Sequence, residues 1–82
     1  MSFRVSAFYK FTPFEDPPAI RDRVQAALDE AGAKGTVLIA SEGLNGTIAA
    51  EGDGLDSAMK ALASLPGCAD LDWKESHADD MP

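Results

Sequence analysis

The sequence predicts an α+β sandwich, with two helices covering one face of a four-stranded antiparallel sheet. Three observations carry this. Four short segments have strand patterning, two have apolar stripes at helical spacing, and they follow one another as β-α-β-β-α-β. At 82 residues the chain is a single domain with one thin core, since a chain this size buries only roughly 60% of its unfolded surface.

The first strand is read from alternation. Phe3, Val5, Ala7, Tyr9 and Phe11 interleave with Arg4, Ser6, Phe8, Lys10 and Thr12, so the first set is expected to face the core. Pro13 stops the strand. Asp16 is a helix N-cap and Pro17 takes the first helical position, where a missing N–H costs nothing. Ile20, Val24, Ala27, Leu28 and Ala31 follow on one helical stripe, and Gly32 ends the helix in a left-handed conformation.

The β-branched run Thr36-Val37-Leu38-Ile39-Ala40 is expected in the sheet interior. Asn45-Gly46 is the strongest hairpin signal in the chain, placing a turn there and the return strand at Ile48-Ala49-Ala50. Asp53, with Asp56 three residues on, opens a second helix. Its stripe is Leu55, Met59, Leu62 and Leu65, and Pro66-Gly67 closes it. Leu71 and Trp73 alternate with Asp70, Asp72 and Lys74 in the last strand.

This order favours the ferredoxin-like topology, in which two split βαβ units interleave by right-handed crossovers. The expected sheet core is Phe3, Val5, Ala7, Tyr9, Val37, Ile39, Ile48, Ala50, Leu71 and Trp73, covered by Ile20, Val24, Leu28, Leu55, Met59 and Leu62. Residues 1–77 are read as the domain. Residues 78–82, which include Asp79-Asp80-Met81-Pro82, are read as a tail or the start of a linker.

Composition excludes several functions. Seven Lys+Arg against fourteen Asp+Glu leave a formal charge of −7, a poor field for an isolated domain gripping phosphates. A single cysteine, Cys68, rules out an internal disulfide framework and a multi-Cys zinc site. No apolar run approaches the ~20 residues that span a bilayer, and the N-terminus is not a secretory signal. A cytoplasmic setting without membrane contact is the expectation.

The densest polar segment is Ser41-Glu42-Gly43-Leu44-Asn45-Gly46-Thr47, where glycines let the backbone approach a ligand. Asn45-Gly46 also serves a plain hairpin, leaving Glu42 solvated. Gly52-Asp53-Gly54 lacks the spacing and Lys of a P-loop and suits helix capping. Lys10, Lys34 and Lys74 lie near strand ends and could gather on one side of the sheet as phosphate contacts, or form a solvated face. His77 has no partner at recognisable spacing, and Cys68 has no flanking base to activate it. No nucleophile–base pair, metal cluster or cofactor fingerprint is present, so no catalytic residue, metal or cofactor is expected.

Tyr9-Lys10-Phe11, Lys34-Gly35-Thr36, Ser41-Glu42-Gly43-Leu44-Asn45-Gly46-Thr47-Ile48-Ala49 and Asp72-Trp73-Lys74-Glu75-Ser76 together resemble the amino-terminal region of the bacterial tRNA uridine hydroxylases. The resemblance spans the chain. It implies an oxygen-dependent conversion of the tRNA wobble uridine to 5-hydroxyuridine in a longer protein that continues into a rhodanese-like domain. It also implies that the cysteine of that chemistry lies in the rhodanese-like domain, and Cys68 does not match its position. The expected role is accessory: tRNA binding, or packing on the rhodanese-like domain, through Lys10, Lys34, Glu42, Asn45 and Lys74.

Two other classes stay open, and the first shares this β-α-β-β-α-β order. An acylphosphatase would need a glycine-rich loop with an Arg after the first strand, where this chain has Thr12-Pro13-Phe14-Glu15-Asp16. A regulatory module binding a ligand or protein partner through an open sheet face needs no motif.

Overall fold

The computed structural model describes residues 3–78. Six elements follow in the expected order: β1 (Phe3–Phe11), α1 (Pro17–Ala31), β2 (Lys34–Ala40), β3 (Gly43–Ala50), α2 (Asp53–Ala63) and β4 (Asp72–Ala78). The strands form one antiparallel sheet in the order β2-β3-β1-β4. Both helices pack on one face of it, enclosing a core that includes Phe8, Ile20, Val24, Leu28, Leu44, Ile48, Leu55 and Leu62. This is the βαββαβ sandwich that the sequence predicts. Ala78 closes β4 opposite Phe3, and the rest of the expected tail lies outside the described residues.

Helix α1 starts and stops as its sequence dictates. The Asp16 carboxylate accepts from the Ala19 N–H at 3.3 Å, Pro17 occupies the first turn, and Gly32 (φ +69°) donates its N–H back to the Leu28 and Asp29 carbonyls. Helix α2 differs. Its N-cap is Gly52 with no side-chain cap, and it ends at Ala63 with Ser64 as C-cap, before Pro66-Gly67. With Gly52 as N-cap, Asp56 lies one position past the place a capping box needs, and its carboxylate is held by the Arg4 guanidinium at 2.8–2.9 Å. Arg4 also donates to the Gly52 carbonyl at 2.9 Å, so a cation from β1 ties down this helix start.

The face of β1 is the reverse of the expectation. Ser6 and Phe8 are buried against the helices, whereas Ala7, Tyr9 and Phe11 are exposed on the other side. Packing explains the inversion. Phe8 sits opposite Gly46, whose missing side chain leaves room for the ring, and the buried Ser6 hydroxyl meets Met59 Sδ at 3.2 Å. On that same face Arg4 reaches Asp56 of α2 and Glu75 of β4. Both alternating sets of β1 contain apolar residues, so alternation alone does not choose between them.

Two further corrections concern the second and third strands. The run expected in the sheet interior is β2, an edge strand whose Leu38 is 62% exposed. The hairpin turns at Ser41-Glu42, with Ala40 paired to Gly43, and Asn45-Gly46 lies within β3. Gly43 (φ +147°) takes the left-handed strain of this turn while Ser41 and Glu42 keep negative φ. The Thr12 and Phe14 amides donate to the Glu42 and Ser41 carbonyls at 3.1 and 2.9 Å, bracing the turn from the segment after β1. Trp73, expected in the core, is 39% exposed on its edge strand. Phe14, Ala33, Leu65 and Cys68 are buried in its place.

Candidate functional site

The register of the three strand pairs lays the helix-free face out as rows of directly opposed residues. From edge to edge these are Lys34-Ala49-Val5-Ser76, Thr36-Thr47-Ala7-Lys74 and Leu38-Asn45-Tyr9-Asp72, with Ala40-Gly43-Phe11 as a shorter fourth. Aromatic side chains stand up from this surface. Tyr9 is 53% and Phe11 80% exposed, their ring centroids 6.2 Å apart in an edge-on arrangement.

Charge is distributed unevenly between the two sides. The described strand residues of this face include one carboxylate, Asp72, and two ammonium groups, Lys34 and Lys74. Acidic side chains concentrate elsewhere: Asp22, Asp29 and Glu30 on α1, Asp53 and Asp56 on α2, and Glu51 in the exposed connection from β3 to α2. The net charge of −7 therefore says little about the field over the open face, which is set by nearby groups within about 10 Å at ordinary salt.

Of the five sequence-derived site residues, three lie on this face. Asn45 sits at its centre opposite both Leu38 and Tyr9, while Lys34 and Lys74 mark opposite edges. Glu42 is exposed at the turn and shares a depression of about 320 Å³ with Tyr9, Phe11, Leu38 and Asn45. A second depression of about 490 Å³ holds Asn45, Thr47, Tyr9, Asp72 and Lys74. Lys10 borders the first of these depressions as well, but turns its ammonium away. It belongs to the opposite face, and its ammonium pairs with Asp70 at 2.8 Å, an interaction that raises the lysine and lowers the aspartate from their usual ranges. Alternation along β1 predicts a core-facing Tyr9 and Phe11, and the structure instead places both on the exposed face.

Cys68 and His77 both lie off the open face. Burial pushes the Cys68 thiol up, away from a reactive thiolate. His77 lies 3.7 Å from Glu75 at the sheet edge, and no group of three or more metal-ligating side chains forms among the described residues. The Thr12–Asp16 segment is unsuited to phosphate, since two of its amides are spent on the β2–β3 turn and it carries Glu15 and Asp16. No helix among the described residues is long and apolar enough to cross a membrane.

Residues 3–82 match the UPF0176 acylphosphatase like domain. The chain belongs to this family. It is 47% identical over 79 residues to the tRNA uridine(34) hydroxylase of Gluconobacter oxydans and 48% identical over 81 residues to that of Caulobacter vibrioides. These alignments cover 96% and 99% of the chain but 25% and 26% of the relatives. A Sinorhizobium medicae protein of the same name is 44% identical over 80 residues. This UPF0176 domain thus spans about a quarter of the length of the curated relatives it matches.

Proposed function

We propose that this chain is the amino-terminal accessory domain of a cytoplasmic tRNA uridine hydroxylase, and that its open sheet face contributes to binding tRNA. In this reading the oxygen-dependent conversion of the wobble uridine to 5-hydroxyuridine takes place in a rhodanese-like domain of the same protein, and the present residues supply affinity and orientation. The observation that carries it is the segregation of charge. The sheet face opposite the helices presents Lys34 and Lys74 on opposite edges with a single strand carboxylate, Asp72, on the Lys74 strand. Similarity to proteins named tRNA uridine(34) hydroxylase supports the RNA partner.

The test uses the full-length protein. Lys34→Ala and Lys74→Ala should each weaken tRNA binding and reduce the slope of log affinity against log salt by about one unit. Hydroxylation at limiting tRNA should fall in parallel, with the saturated rate retained. Unchanged affinity and salt slope in both variants would overturn the reading.

A second reading rests on Leu38, which is 62% exposed on the edge strand of the same face. Packing of this face on the rhodanese-like domain would cover it. Charge substitution at Leu38 would then destabilise the full-length protein while leaving the salt slope of tRNA binding intact.

A further inference from the structure

We propose that the open face is a stacking platform for unpaired nucleobases, with Tyr9 and Phe11 as its two rings. This deepens the tRNA reading above and rests on it. Phe11 is 80% exposed because its row neighbours, Ala40 and Gly43, are too small to shield the ring. Tyr9 projects between Asn45 and Asp72, with the small Ala7 two residues before it on the same side of β1. The two depressions of about 320 and 490 Å³ meet at Tyr9 and Asn45, so the Tyr9 ring has open space on both sides.

The chemistry matches single-stranded RNA. Unpaired bases stack on exposed aromatic rings whatever their sequence, because every base has a π face. The Asn45 amide, shared by both depressions, can donate and accept at a base edge, and Thr36 and Thr47 present hydroxyls in the adjacent row. Lys34 and Lys74, without ion-pair partners among the described residues, stand on opposite edges two rows and one row from the Tyr9–Asn45 row, where a backbone leading away from the splayed bases would place phosphates. The sheet spacing puts those edges about 14 Å apart, a span that two or three nucleotides cross. An apolar protein segment would use the rings but would draw nothing from the lysines.

The experiment measures binding of a tRNA anticodon stem-loop and of a fully paired duplex of equal length by the full-length protein. Phe11→Leu and Tyr9→Leu keep apolar bulk and remove the flat ring. Each should cost about tenfold or more in stem-loop affinity with the salt slope unchanged, should leave duplex binding unaltered, and should be rescued by Phe11→Trp or Tyr9→Phe. Unchanged stem-loop affinity in the Leu variants, alongside weakened binding in the Lys34 and Lys74 variants, would overturn the stacking platform and leave the tRNA reading standing. Retained affinity together with loss of thermal stability would assign the rings to a protein contact instead. If the lysine variants also bind normally, both readings fall.

Discussion

The ring of Phe8 lies over the bare backbone of Gly46 in the neighbouring strand. A Cβ on Gly46 would stand 2.4 Å from the Thr36 carbonyl oxygen, closer than a carbonyl can accept, and a tight 3.1 Å from the Phe8 ring. This pairing seats β1 with Phe8 inward and gives Gly46 a packing role in place of a turn.

Gly46→Ala should therefore destabilise the fold by about 1–3 kcal/mol, because the added methyl must displace a backbone carbonyl on one side and a core ring on the other. Asn45→Ala, at an exposed strand position, should stay within about 0.5 kcal/mol. Denaturant midpoints for the two variants decide the point: if Asn45→Ala were the costlier, the turn would sit at Asn45-Gly46 after all.

The inversion of β1 has its own check. Phe8→Ala should cost about 3–5 kcal/mol, as full truncation of a core ring does. Phe11→Ser should stay within about 0.5 kcal/mol despite removing a ring of the same size, because that ring is already in water. Equal costs would show that both faces of the strand are covered.

Arg4 clamps Asp56 and Glu75 together, and its guanidinium holds both carboxylates below their usual range. Their folded pKa values are thus lower than their unfolded ones. The stability they contribute is present above the ordinary carboxylate range and is lost as pH falls through the folded values. Thermal midpoints should drop as pH falls from about 5 toward 2, and Arg4→Met should flatten that dependence while lowering stability at neutral pH. A variant with the same pH profile as the parent would show that the clamp does not set it.

Cys68 is fully buried beside Lys10 and Asp70, and burial holds its thiol above the normal range. A thiol reagent at neutral pH should label it only at the rate of unfolding, speeding up in denaturant. Rapid stoichiometric labelling of the folded protein would contradict its place in the core.

The inventory and order of elements are legible in the amino-acid sequence alone. Asp16-Pro17 and Gly32 delimit α1 through bonds made within a few residues, and the stripes Ile20-Val24-Leu28 and Leu55-Met59-Leu62 name the faces that the helices bury. These are local signals, and local physics suffices to read them. The Lys34-Gly35-Thr36 and Glu42-Gly43-Leu44-Asn45-Gly46-Thr47 segments mark the family for the same reason, being short and contiguous.

Which side of the sheet each strand presents is set by long-range packing. A β-strand offers two faces related by a single pleat, and when both carry apolar residues the choice depends on what stands opposite. Phe8 goes inward because Gly46, thirty-eight positions away, makes room for it, and that choice turns Tyr9 and Phe11 outward beside Asn45 while sending Lys10 to Asp70. Asn45-Gly46 likewise reads as a turn in isolation, yet pairing on both sides draws it into a central strand and moves the reversal to Ser41-Glu42. The candidate site is a product of cross-strand register, and register is a property of pairs of distant residues that no single stretch of sequence contains.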